Sequence, residues 1–466
     1  MKKLFTIILS LGISFLTFAQ ENAPKIKGKV KISIIEGTFD CDLTISNIPT
    51  LEDYLIRLNS GMNLLHIKSK KPNDFVLGFN KSEKDSTSTG ESIAYYFPDN
   101  TGKGKFLPKE LQFRYVGKFP VATDTISNYS KEDWKGNIAF NGYSVRTDGS
   151  QSAWYPYLYD AKKDISYEEM YYDIEIECID CSTIYMNGNK PVKSKKTTLK
   201  SEQPYELALF CGKYDFIDDG NLILLNPTFA EDNINDFSQM VSKYKQYYEK
   251  KLKIKFTEPP IFINTTPTAP KYGWLFVSYP TIMGIGYGND GIGALFDKKK
   301  DWYKQYIAHE LGHYYFGTYK VLNSELGDMM SEGFTEYLSL KLVEELQGKE
   351  FYNKKIEEKI KFLSDFNTIP ISKIKSISEI EDRETFVYDY ASMMFIAIEK
   401  EIGMKKMWEW IGNILNTKTD FTNYDYLLAT LRNTLNDNKK THEIIEKYFN
   451  NINSTENVLN KVKEKK

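Results

Sequence analysis

Residues 309–313 read His-Glu-Leu-Gly-His, and Glu332 follows nineteen positions after the second histidine. Nothing else in the chain constrains its folding so tightly. Residues i and i+4 share one face of an α-helix, so this spacing predicts a helix that aims both imidazoles at a single point. Only four histidines occur in the whole chain, and two of them sit in this pentapeptide. Zinc favours four ligands, and a catalytic zinc leaves one position to water, so a third protein ligand has to come from another segment. Glu332 is the candidate. It opens a second predicted helix whose apolar face is Phe334, Leu338, Leu342 and Leu346. Two antiparallel helices joined by a loop would bring its carboxylate beside the imidazoles. The expected ligands of one Zn2+ ion are thus His309, His313 and Glu332. Zinc lowers the pKa of its water to about 7. Glu310, on the same helix, is placed to take that water's proton and pass it to a leaving amine. The pattern predicts a zinc hydrolase.

Residues 1–19 read as an export signal: Lys2 and Lys3, a largely apolar stretch over 4–18, then Ala19 before a cleavage point at Gln20. The stretch is too short, and the residues after it too polar, for a comfortable transmembrane helix. The expectation is an exported protein, periplasmic or extracellular, with no stable membrane insertion once the signal is removed. Loss of Lys2 and Lys3 leaves 59 Lys+Arg against 63 Asp+Glu. That balance argues against nucleic acid or a strongly anionic membrane as partner. The expected partner is a peptide or protein substrate.

The cysteines are Cys41, Cys178, Cys181 and Cys211. An even count in an exported chain permits disulfides, in three possible pairings. The Cys178–Cys181 pair lacks the second close pair of a structural zinc site. It also interrupts a strand-like run rather than opening a helix, as a redox motif would. Disulfides or inert buried thiols are the expectation.

Residues 20–215 read as β-structure: 27–34 and 172–178 alternate, and 182–186 run into the turn Asn187-Gly-Asn. From residue 216 the register changes. Thr228 and Glu231 have capping-box spacing, and Phe237, Met240, Val241, Tyr244, Tyr248 and Leu252 recur at helical intervals. Residues 260–264 and 275–278 read as buried strands. The glycine-rich run 284–293 lacks the lysine and helix start of a phosphate loop. Beyond Asp301 the chain reads as nearly all helix, with breaks near Pro370 and over 416–421. His66 and His442 have no partner motifs and read as structural or surface residues. The expected domains are a signal over 1–19, a β domain over 20–215 and a mostly helical catalytic domain over 216–466.

His309-Glu-Leu-Gly-His313-Tyr-Tyr-Phe-Gly317, then Glu332-Gly-Phe-Thr-Glu-Tyr337, resembles the aminopeptidase N family of gluzincin zinc metallopeptidases, with its HExxH-x18-E pattern. The resemblance implies zinc ligands at His309, His313 and Glu332, and Glu310 as general base. It implies an α+β architecture, with an N-terminal β-saddle or sandwich followed by a thermolysin-like catalytic domain. It also implies a tyrosine that stabilises the oxyanion. Matching the register of Tyr388-Asp-Tyr390-Ala-Ser392 makes this Tyr388, with Tyr390 as rival. The large helical C-terminal domain of many members is missing. So is the family's Gly-x-Met-Glu-Asn, whose glutamate holds a substrate's amino terminus. Met283-Gly284 is read as the edge strand that would carry it, and Asp290 as the nearest carboxylate, but neither restores the motif. Aminopeptidase-like hydrolysis and endopeptidase cleavage both stay open, as does an inactive peptide-binding relative.

Overall fold

The computed structural model describes residues 23–71, 73–82, 91–98, 107–122, 138–227, 231–264, 274–285 and 302–464. The export-signal segment, Thr228 and Asp290 lie outside these residues. No helix among those described is long and apolar enough to cross a membrane.

The first half is β-structure built on strict alternation. In Glu169–Cys178 every second side chain, Met170, Tyr172, Ile174, Ile176 and Cys178, is buried, while the acidic residues between them face outward. That strand lies in an eight-stranded sheet, paired in parallel with Lys25–Ser33 and antiparallel with Lys196–Lys200. A four-stranded and a five-stranded sheet complete this half. Trp154 is fully buried at the centre, where its carbonyl accepts from the Tyr115 hydroxyl at 2.9 Å. All four cysteines are buried thiols with no disulfide among them.

The second half opens with a five-stranded sheet in the order Phe216–Asp218, Ile223–Leu225, Ile261–Asn264, Thr281–Ile285, Trp274–Ser278. Its three inner strands are parallel and its two edge strands antiparallel. Met283 and Gly284 therefore lie on an inner strand, not at the edge as expected. The chain reaches the edge first, through Trp274–Ser278, and then turns back inward. Alternation cannot reveal this, because both strands are apolar and only their pairing separates edge from interior.

Helices follow. Phe237, Val241, Tyr244, Tyr248 and Leu252 line the buried side of Glu231–Leu252, and Phe237 meets Phe262 of the sheet edge-on at 4.9 Å. Trp302–Gly312 carries the histidines, and Gly327–Leu346 carries Glu332. The latter helix buries fifteen of its twenty residues, so its apolar pattern runs around the cylinder, as a central helix requires.

A buried seam joins the two halves. Tyr185, Phe210 and Tyr214 of the β half pack with Ile223, Ile261, Phe276 and Met283 of the second sheet. Asn187 Nδ2 donates to the carbonyl and hydroxyl of Ser278, each at 2.8 Å. The Ser278 hydroxyl in turn donates to Glu206 at 2.5 Å. These bonds fix the end of the edge strand that runs beside the helix carrying the two histidines.

Candidate metal centre

The two helices that bear the expected ligands pack closely because small groups meet where they cross. A Cβ added at Gly312 would come within 3.0 Å of Thr335. The aromatic residues of the two motifs lock the same contact: Phe316 stacks on Phe334 with centroids 5.0 Å apart, and Phe334 stacks on Phe395 at 3.8 Å. The Phe316 carbonyl faces His313 Nδ1 at 3.3 Å, which turns Nε2 of that ring toward the cleft.

Three donor atoms converge there. His309 Nε2 lies 3.1 Å from His313 Nε2 and 3.2 Å from Glu332 Oε2, and His313 Nε2 lies 3.3 Å from the same oxygen. Ligands about 2.0–2.1 Å from a tetrahedral zinc stand about 3.3 Å from one another. The triangle therefore has the edge length of one face of such a site. These three residues also form the one group of three or more potential ligands found among the described residues. The charge balance fits a cation as well. Burial opposes a charged His309, but Glu332 and Glu336 outweigh it and raise the imidazole to about 10. Burial likewise works to raise Glu332, yet the two histidines hold it well below the usual carboxylate range. Nitrogen, nitrogen and carboxylate oxygen make a donor set suited to zinc.

Glu310 is buried beside His309 on the same helix. Tyr388 lies in a one-turn π-helix, Thr385–Tyr390, with its ring centroid 5.7 Å from that of His309. Burial pushes its phenol far above the ordinary value, and Glu332 and Glu310 add to the push. The hydroxyl is thus a neutral donor near the ligands. Tyr390 points elsewhere: its hydroxyl bonds Ser454 Oγ at 2.9 Å, deep among the C-terminal helices. Gly333 lets the tyrosine segment approach. A Cβ there would come 2.7 Å from Ala391 and 3.5 Å from the Val387 carbonyl, so any side chain would push the π-helix off the glutamate helix.

Several residues of the site carry no motif that reveals them. Glu336 Oε2 faces His309 Nδ1 at 2.8 Å, which places the ring proton on Nδ1 and leaves Nε2 as ligand. Its other oxygen accepts from Gln305 at 2.7 Å and pairs with Lys359, also at 2.7 Å. Buried Lys359 reaches Asp389 at 2.9 Å and the Tyr388 carbonyl at 3.1 Å. One ammonium thus ties the carboxylate behind His309 to the segment that carries Tyr388. Glu336 had a readable signal, since it follows Glu332 by four residues on one helix face. Lys359 had none. Arg383 holds Asp328 through Nε at 2.7 Å and Nη2 at 2.5 Å, with Nη2 3.7 Å from Glu332 Oε1.

No protein-family model matches the sequence, and no curated protein matches it either. Solved structures do match its fold. Yeast LTA4 hydrolase in complex with bestatin superposes with a TM-score of 0.59 at 12% identity, over 90% of this chain and 66% of that one. Native leukotriene A4 hydrolase from Saccharomyces cerevisiae gives 0.58, also at 12%, over 90% and 66%. An M1 zinc metallopeptidase from Deinococcus radiodurans gives 0.58 at 11%, over 92% of this chain and 95% of that one. The chain spans just under two thirds of the length of the yeast enzyme. At these identities the likeness shows the fold: an N-terminal β domain followed by a mostly helical part, in the M1 peptidase arrangement.

Proposed function

We propose that the protein is an exported, zinc-dependent peptide hydrolase. The observation that carries this reading is the triangle of His309, His313 and Glu332, with donor atoms 3.1–3.3 Å apart and Glu310 on the same helix. A structural metal has no use for a buried general base beside it. When bound, zinc supplies a Lewis acid that makes water a nucleophile near neutral pH. Glu310 accepts the proton of the attacking water at its carboxylate and delivers it to the departing amine nitrogen. Tyr388, kept protonated, donates its phenolic hydrogen to the carbonyl oxygen as charge develops there. Glu336 holds the His309 ring with Nδ1 protonated, and Lys359 keeps Glu336 charged.

A substrate in extended form would lie along the outer edge of Trp274–Ser278 and pair with its main chain. The machinery is aminopeptidase-like, but none of Trp274, Leu275, Phe276, Val277 and Ser278 bears a carboxylate. That observation favours a second reading, cleavage inside a chain, in which no group on this strand holds an ammonium.

The test is cleavage of a peptide library by wild type and Glu310→Gln, each with and without a chelator. Wild type should cleave, with chelator and substitution each removing activity by about 10²-fold or more. Equal cleavage by the variant, or none by wild type, would remove the hydrolase reading. Acetylation of the peptide amino termini then separates the two modes: unchanged rates mean that no amine is recognised.

A further inference from the structure

The zinc chemistry leaves Arg383 unused, yet this residue stands against the site. It lies five positions before Tyr388, where the chain enters the π-helix. Asp328, in the first turn of the glutamate helix, holds its Nε and Nη2 in a bidentate grip of 2.7 and 2.5 Å. Nη2 approaches Glu332 Oε1, the oxygen turned away from the histidines, to 3.7 Å. The guanidinium also acts on the Tyr388 phenol, working against the burial that raises its pKa. It is not sealed off, for 41% of its side chain stays exposed. Lys359, the other cation near Tyr388, is buried behind the site and occupied by Glu336 and Asp389.

A guanidinium fixed on one edge by a carboxylate keeps its orientation at little entropic cost, and its remaining N–H groups form a flat fork suited to oxygen pairs. An arginine fixed in this way, part-exposed beside a candidate metal ligand, would lie within reach of a substrate bound there. Those N–H groups are donors only, so they can pair with the oxygens of a carboxylate and not with an ammonium. The edge strand points the same way, since it offers no acid to hold an amine.

We propose that Arg383 is a specificity-determining residue that binds a carboxylate of the substrate next to the scissile bond. The proposal rests on the peptide-hydrolase reading and names the class of peptide that reading leaves open. On the proposed mechanism the reacting carbonyl lies at Tyr388 and the metal ligands, Arg383 Nη2 stands 3.7 Å from the ligand Glu332, and one extended residue spans about 3.5 Å. The carboxylate therefore belongs to the residue at the scissile bond or to its neighbour. It comes either from the chain terminus of a short peptide or from an Asp or Glu side chain.

Binding without turnover tests this. Zinc-loaded Glu310→Gln protein is titrated calorimetrically with alanine peptides of two to four residues, each as free acid and as amide. Amidated tripeptides with Asp or Asn at each position complete the set. The carboxylate form should bind at least about tenfold more tightly than its neutral twin. The terminal or the side-chain series identifies the source, according to which one shows the difference. In Glu310→Gln/Arg383→Gln the ratio should fall to within about twofold of one. Arg383→Lys should retain part of it, and Arg383→Glu should reverse it. Using ratios within each variant removes any general loss of affinity, and zinc content confirms that each variant keeps its site. A ratio near one in the parent, or one that survives Arg383→Gln and Arg383→Glu, overturns the proposal. Its failure is distinct from that of the hydrolase reading, which wild-type turnover of the same peptides measures separately.

Discussion

Replacing Glu336 with glutamine keeps the shape of the side chain and changes what it can accept. Four donors surround the carboxylate: Gln305 Nε2 at 2.7 Å, Lys359 Nζ at 2.7 Å, His309 Nδ1 at 2.8 Å and Ser339 Oγ at 3.3 Å. A carboxylate accepts on both oxygens, whereas an amide has one accepting end and one donating end. If the amide oxygen keeps Lys359 and Gln305, its NH2 meets His309 Nδ1. That ring must then move its proton to Nε2, the atom that should bind the metal. If the oxygen turns to His309 instead, the NH2 faces a buried ammonium. Either way one charge-assisted bond is lost, worth roughly 1.5–3 kcal/mol. At about 1.4 kcal/mol per factor of ten, zinc affinity should fall roughly 10- to 150-fold. The measurement is competition for zinc between the purified protein and a chromophoric chelator, at fixed pH and salt. Glu332→Ala, which removes a ligand outright, serves as the reference for a lost site. Glutamine at 336 with wild-type zinc affinity, within about twofold, would refute the claim that this carboxylate sets the His309 tautomer.

Two further outcomes can be checked. Tyr388→Phe should lower kcat by about 10²-fold or more, the scale for loss of an oxyanion donor, with KM nearly unchanged. Tyr390→Phe should leave kcat within a few-fold and reduce thermal stability instead, since its hydroxyl serves Ser454; the reverse pattern would exchange their roles. Glu401 gathers Lys440 and Lys447, each at 2.9 Å, and Lys461 at 3.4 Å. Burial alone would raise its pKa, but the lysines win and bring it down to about 2. Its folded pKa is thus below the unfolded value near 4.5, so its stabilisation is present above pH 4.5 and lost as pH falls toward 2. Glu401→Gln should lower the melting temperature by a few degrees at pH 7, with the gap to wild type closing as pH drops from 4.5 to 2. A gap that stays constant over that range would remove Glu401 from the account.

The triangle of potential ligands was legible because its three residues obey local rules. The i,i+4 spacing and an apolar helix face survive any tertiary context. The stacking of Phe316 on Phe334 shows why phenylalanines stand beside the ligands in both motifs, which spacing alone did not explain. The edge strand was misplaced because Trp274–Ser278 and Thr281–Ile285 are equally apolar, and their order in the sheet follows from pairing rather than pattern. Arg383 and Lys359 were invisible for a different reason. Each acts across long sequence separations, Arg383 on Asp328 and Lys359 on Glu336 and Asp389, and a lone lysine or arginine in a helix-rich segment reads as solvated surface. Glu336 lay between these cases. Its spacing from Glu332 was in view, but its role depends on the His309 Nδ1 atom 2.8 Å away.

The edge strand also limits how a peptide can be held. Residues of an antiparallel strand alternate in the direction of their N–H and C=O groups, so those of Leu275 and Val277 share a side. The Leu275 N–H donates to the Tyr306 hydroxyl of the metal helix at 2.7 Å, which makes this the outer side, facing that helix. With that amide taken, an incoming chain is left with the Val277 pair and the Leu275 carbonyl. At roughly 1 kcal/mol net per bond, two or three main-chain bonds give weak and indiscriminate binding. The strand can set the direction of a peptide, but it cannot choose among peptides, and it has no acid with which to choose an amino terminus. Selectivity then falls to side chains around the candidate metal ligands. Of these, Arg383 combines a fixed orientation, solvent access and an approach to Glu332. A strand with no acid of its own, and a fixed, part-exposed guanidinium beside Glu332, support the proposed substrate, recognised by its negative charge rather than by its amine.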